Sequence, residues 1–131
     1  NPLAATTDNA RAEPALGALA LHQDAAATAV LLDIATTGTP HMRERAMFWI
    51  ARRAETKAAA TITAAIEHDP DAEVKKQAVF ALSQLPQGEG VPLLINLART
   101  SGNPAVRKQA YMWLGQSKDP RALAFFEEVL R

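Results

Sequence analysis

Apolar side chains recur along this chain at spacings of three and four residues, the mark of helices buried along one side. Ala27, Val30, Leu31 and Ile34 follow i, i+3, i+4, i+7, and Asp24 stands before them where an N-cap belongs. The stretch Val74-Lys75-Lys76-Gln77-Ala78-Val79-Phe80-Ala81-Leu82 returns 32 residues later as Val106-Arg107-Lys108-Gln109-Ala110-Tyr111-Met112-Trp113-Leu114. It also occurs 32 residues earlier, as Met42-Arg43-Glu44-Arg45-Ala46-Met47-Phe48-Trp49-Ile50. The pattern predicts eight helices, near 13–21, 24–36, 41–53, 56–68, 72–84, 88–99, 104–116 and 120–131, and no strand.

The breaks between helices keep the same register. Thr37-Gly38-Thr39-Pro40, Asp69-Pro70-Asp71-Ala72 and Ser101-Gly102-Asn103-Pro104 each combine a helix stop with a Thr, Asp or Asn cap and a Pro or Ala opening the next helix. Second-helix columns follow: Val30, Ile62, Leu94 and Phe126 form one, and Ile34, Ile66, Ala98 and Leu130 another. A repeat of this length specifies a solenoid, because one helical hairpin cannot bury its own apolar face and must stack on its neighbours. Residues 1–9 lack periodicity and read as an N-terminal tail with Asp8 or Asn9 as a cap; residues 10–131 read as one domain of units 10–36, 41–68, 72–99 and 104–131. The first unit is degenerate. Pro14 costs about 3 kcal/mol deep in a helix and so belongs in a first turn.

The unit Asp71 to Leu82, its counterpart Asn103 to Ala110, and Asp119-Pro120-Arg121-Ala122-Leu123 resemble the HEAT repeat, and more closely the short bacterial variety called HEAT-like or phycobilisome-lyase-like. The resemblance covers residues 41–131 well and 10–40 loosely. It implies an all-α, right-handed α-solenoid (an α-α superhelix) of about four hairpins and a protein-interaction scaffold. The run Ala110-Tyr111-Met112-Trp113-Leu114-Gly115-Gln116-Ser117, followed by Phe125 to Leu130, also resembles HEAT domains of bacterial proteins with export signals. That resemblance points to the cell envelope, against a cytoplasmic default.

Composition narrows the function. Lys+Arg and Asp+Glu balance at 14 each, which argues against a polyanion partner held by bulk charge. There is no cysteine, so disulfides and thiolate metal sites are excluded, and no apolar run reaches membrane-spanning length. The 28 alanines suit closely packed helices. The chain opens on Asn1 rather than Met, which fits a trimmed form or a mature form that has lost a leader.

Four sets of residues are candidates for interaction or support. Arg11, Arg43, Lys75 and Arg107 open the successive first helices; the resemblance implies an internal structural ladder, each cation meeting turn carbonyls and an acid such as Asp69 or Asp71, with phosphate reading as the alternative. Leu16, Phe48, Phe80 and Met112 form an apolar column lying nearly opposite the arc of Met42, Ala46, Trp49 and Ile50. Either adjacent units sandwich the helix from two sides, or this ridge faces solvent and docks a partner. Trp49, Ala81 and Trp113 alternate large, small, large as core packing or as an aromatic cradle. The resemblance makes the second helices line the concave side, where Leu31, Thr63, Ile95 and Glu127, then Leu32, Ala64, Asn96 and Glu128, then Ala35, Glu67, Arg99 and Arg131 vary from unit to unit. From these, Thr63, Ile95, Asn96 and Arg99 join Phe48, Phe80 and Met112 as candidate partner-binding residues.

No HExxH, Gly-rich phosphate loop or nucleophile elbow occurs, and His22, His41 and His68 lack metal-ligand spacing, so no catalytic residue, cofactor or metal is assigned. The reading is a non-enzymatic interaction scaffold or adaptor, a segment of a larger protein, whose partner is another protein or another domain. A weak dimer through the terminal repeat fits the apolar Val129 and Leu130 in the last helix. Two alternatives are a nucleic-acid-binding HEAT-like module, opposed by Glu67, Glu127 and Glu128, and a tetrapyrrole (bilin) lyase-like subunit, suggested only by the name of the resembled repeat.

Overall fold

Side-chain caps punctuate the chain and set where its helices begin. Asp71 accepts hydrogen bonds from the backbone N–H of Glu73 and Val74, Asn103 from those of Ala105 and Val106, and Asp119 from that of Arg121. Thr39 Oγ1 accepts from the N–H of Met42 at 3.3 Å. In each case a polar side chain replaces the helical acceptor that a first turn lacks. The computed structural model describes residues 14–21, 25–53 and 57–131. Asp24, Arg11, the 1–9 tail and its caps lie outside them.

The described residues form eight α-helices: α1 (14–21), α2 (Ala25–Thr37), α3 (Pro40–Arg53), α4 (Ala58–His68), α5 (Ala72–Ser83), α6 (Gly90–Thr100), α7 (Pro104–Gln116) and α8 (Pro120–Leu130). A single 3₁₀ turn, Pro86–Gly88, precedes α6, and there is no strand among the described residues. Gln87 and Gly88 both take positive φ, 58° and 70°, which bends the chain sharply between α5 and α6. That turn delays the start of α6 to Gly90, two residues past the expected 88. Gly90 then meets α5 directly: a Cβ added there would lie 1.8 Å from the Leu82 carbonyl oxygen.

The odd-numbered helices make one layer, α3 on α5 and α5 on α7. The even-numbered helices make a second layer in which α2 touches α4 and α6 touches α8, while α4 and α6 barely meet. Between the layers runs one core, including Met42, Ala46, Ile50, Ile62, Ile66, Ala78, Leu82, Leu94, Ala110 and Leu114. This is a HEAT-like helical solenoid in outline. α3 and α5 also bury a second stripe, Met47 and Ala51 in α3 and Val79 in α5. Sandwiching from two sides therefore runs through Met47 and Val79, one position before Phe48 and Phe80.

Two column assignments need correction. The expected inward stripe of α2 included Val30 and Ile34, yet the helix buries Ala27, Leu31 and Ala35, and leaves Val30 exposed. The cause is connection length. Only Gly38 and Thr39 separate α2 from α3, whereas residues 69–71 separate α4 from α5. With one residue fewer, α2 turns by about 100° relative to α4, so Leu31 and Ala35 take core places expected for its neighbours. At the other end, Phe125 rather than Phe126 is fully buried, and Leu130, counted by 32 onto Ile66 and Ala98, is exposed: α8 has slipped by one place, and only residues 117–119 separate it from α7 where residues 84–89 separate α6 from α5.

Candidate functional site

The basic column sits at the junctions between hairpins. Arg43 donates Nε and Nη2 to the two carboxylate oxygens of Asp69, at 2.8 and 3.1 Å, and Nη1 to the Gly38 carbonyl at 2.6 Å. Arg107 donates to the Ser101 carbonyl at 2.6 Å, and Lys75 reaches the Glu67 carbonyl at 3.5 Å. Each cation thus meets a carbonyl that a helix end leaves without an acceptor role. Asp69 is buried, and burial alone would raise its pKa. The paired bonds from Arg43, the N–H of Asp71, and the charges of Arg43 and Lys75 outweigh that and hold it below its ordinary 3.8. The same pairing, led by the hydrogen bond to Asp69, raises Arg43.

The Arg43–Asp69 pair closes one end of a groove of about 790 Å³ between α2 and α4. Leu32, Ala35 and Thr36 form one wall, and Ala60, Thr61, Ala64, Ala65 and His68 the other, with Lys57 at the opposite end from Asp69 along α4. The groove exists because these crossing residues are small; larger side chains would have filled the gap. It is mostly apolar and has the size of a ligand or peptide site. Its chemistry is that of a receptacle for apolar side chains. Among the described residues no three His, Cys, Asp or Glu side chains gather to hold a metal.

A second surface lies on the odd helices. The Phe48 ring is half-buried and sits between two guanidiniums, Arg45 at 5.4 Å and Arg52 at 5.3 Å from its centroid. Trp49 meets it edge-on at 5.1 Å and leans the other way on α1, where an added Cβ at Gly17 would lie 3.2 Å from its ring. Phe80 packs against Trp113 of the next hairpin at 5.0 Å. The column position of Trp113 is Ala81 in α5, a small residue where Phe48 would otherwise meet an indole. Trp49 and Trp113 are half-buried between hairpins, and Met112, with no hairpin beyond it among the described residues, is exposed.

The candidate residues do not converge on one site. Phe48, Phe80 and Met112 lie on the odd layer; Thr63, Ile95, Asn96 and Arg99 lie on the even layer. Thr63 and Ile95 are half-buried and Asn96 is exposed. Arg99 is engaged within the protein, donating to Glu128 at 2.6 Å and lying 5.3 Å over the Phe125 ring, so it fastens α8 to α6. Leu31, placed in the variable columns, belongs to the core. The groove draws instead on Leu32, Ala35 and Ala64 from those columns, and on Lys57, Ala60 and Thr61, which the sequence did not single out. The signal for them was present: Ala60 and Ala64 stand one helical turn apart.

Among the described residues, no helix is long and apolar enough to cross a membrane. The sequence profile described as HEAT repeats matches residues 59–131, from α4 through α8. No curated protein and no solved structure gives a significant match to the chain. HEAT repeats generally act as scaffolds for protein interactions and are typically non-enzymatic. With more than half of its length matched and its helices stacked in two layers, the chain belongs to the HEAT repeat family.

Proposed function

We propose that this chain is a non-enzymatic protein-interaction module whose groove between α2 and α4 receives an apolar segment of a partner protein. The observation that carries the reading is the groove itself: about 790 Å³ of space, mostly apolar, with walls of small side chains and with charge confined to the ends. Alanines at the crossing admit a helix or extended strand of the partner, and apolar anchors on that segment would supply most of the affinity. Leu32 offers an apolar wall, and the Arg43–Asp69 pair is already satisfied internally, so it fixes the end of the groove and does not demand a counter-charge. The ridge of Phe48 and Phe80 is the second surface of the same scaffold, with Arg45 and Arg52 beside Phe48.

Peptide display selection against the wild-type chain, counter-selected on Ala64→Arg, tests the reading. Ala64 is exposed on α4, so the substitution fills the groove without touching the core. Selected sequences are expected to be apolar at their centre and to lose binding on Ala64→Arg while retaining it on Phe80→Glu. Enrichment that ignores Ala64, or no enrichment, removes the groove as the binding site.

A further inference from the structure

One stripe of α4 follows the groove and carries charge only at its two ends. Lys57, Ala60, Ala64 and Glu67 stand at i, i+3, i+7 and i+10, so they share one side of the helix, and all four are exposed. Lys57 is the N-cap residue, Ala60 and Ala64 belong with it to the groove wall, and Glu67 lies one turn beyond Ala64 in the last turn of the helix. A rise of 1.5 Å per residue sets the cation and the anion about 15 Å apart, with alanine between them.

The order of these charges runs against the helix that bears them. A helix N-terminus favours an anion and a C-terminus a cation, yet α4 opens on Lys57, has no acid in its first turn, and places Glu67 near its last carbonyls. Neither charge is neutralised by an opposite charge that the fold holds in place. Lys57 enters no ion pair among the described residues, and Glu67 meets only the exposed His68, at 3.6 Å. Arg43 and Asp69, the other charges of the groove, satisfy each other. Two charges placed against local preference, one at each end of an apolar wall, are accounted for by a partner that brings the opposite charges.

We infer that the partner segment in this groove is an α-helix whose apolar face is flanked by an acidic side chain at the Lys57 end and a basic one at the Glu67 end, about three turns apart. The inference rests on the groove reading given above and adds the partner's chemistry to it. The walls are helices with their backbone groups already paired, and they present mostly apolar side chains. An extended segment there would leave its own N–H and C=O groups without partners, whereas a helix arrives with them paired. Ala60 and Ala64, one turn apart, let that helix come close. The end charges then fix its register along α4 and reject segments whose two ends carry the same sign.

A displayed library of helical peptides tests this, each with an apolar face at i, i+3, i+4 and i+7 and with its two ends varied among acidic, basic and neutral residues. Selection on the wild-type chain is expected to favour helices with one acidic and one basic end over those with like ends, by about fivefold or more. Lys57→Glu should turn the preference to helices basic at both ends, and Glu67→Lys to helices acidic at both ends, whichever way round the helix lies. Both residues are exposed, so wild-type melting temperatures are expected. Lys57→Gln should lose the requirement for the acidic end and keep that for the basic one, and Glu67→Gln the reverse. Counter-selection on Ala64→Arg separates the two claims. Binding that is lost on Ala64→Arg but ignores the end charges, or that shows one charge preference on every variant, would overturn the bipolar helix and leave the groove reading standing. Enrichment that ignores Ala64→Arg, or no enrichment, would overturn both.

Discussion

The odd and even layers are built from similar apolar stripes, yet they end in different surroundings. Between them, α3, α5 and α7 carry eight Lys or Arg and two Glu; α2, α4, α6 and α8 carry two Arg and four Asp or Glu. The chain is neutral only as a sum, so its balance of 14 against 14 concealed a basic layer and a mildly acidic one. Packing differs as well. α3 and α5 bury two stripes each and touch their neighbours directly, whereas α4 buries the single stripe Ala58, Ile62 and Ile66 and stands away from α6. The odd layer holds the stack together; the even layer leaves room.

The largest effects should come from breaking the tight layer. Met47 is fully buried on the second stripe of α3, and Met47→Ala should cost about 3 kcal/mol by chemical denaturation, since the cavity has close-packed walls. Gly90→Ala should cost at least as much, because the Cβ cannot coexist with the Leu82 carbonyl unless α6 shifts from α5. Leu32→Ala, on the groove wall, should cost less than about 1 kcal/mol, because its side chain is only half-buried. Equal costs at Met47 and Leu32 would mean that the layers do not differ in packing.

These contrasts mark what the sequence could convey. Helix starts were legible because Asp71, Asn103 and Asp119 are local signals whose chemistry acts within three residues. The core columns of α3, α5 and α7 were legible because their caps are evenly spaced. The slip in α2 was not, since it depends on one missing residue between Thr37 and Pro40, and counting by 32 passes straight over it. The groove was not legible as a site, because it arises from pairing Ala35 of one helix with Ala64 of another, and no single column holds both. The half-buried state of Phe48 and Phe80 was hidden for a similar reason: each ring is covered by residues outside its own column, Arg45 and Arg52 for Phe48 and Trp113 for Phe80.

A middling effect is expected where the two layers are tied at a junction. Asp69→Asn keeps the shape but removes the charge that Arg43 faces, at about 2 kcal/mol near neutral pH. The pH dependence has a definite sign. Asp69 in the fold is held below 3.8, so its contribution is present above that value and is lost as pH falls through the folded pKa. Asp119, paired with Arg121 and lowered to about 2, adds to the same acid window. Stability measured against pH should therefore fall below about 4 in the wild type and fall less steeply in Asp69→Asn. Parallel curves would mean that the pair contributes nothing through its charge.

The smallest effect sharpens the contrast from the other side. Gly115 lies in α7, on the exposed end of the odd layer, in the column that Ala51 fills in α3, where it is fully buried. An added Cβ at Gly115 meets nothing within 4 Å, and the residue has helical backbone geometry, so Gly115→Ala removes backbone freedom from the unfolded chain without a clash. The variant should be more stable by roughly 0.5–1 kcal/mol, read as a shift in denaturation midpoint at unchanged slope. The same glycine-to-alanine change is disruptive at Gly90, where α6 closes on α5, and favourable at Gly115, which no other helix among the described residues approaches. A loss of stability at Gly115 would mean that this part of α7 is packed against something, and the comparison between a closed junction at Gly90 and an open surface at Gly115 would fail.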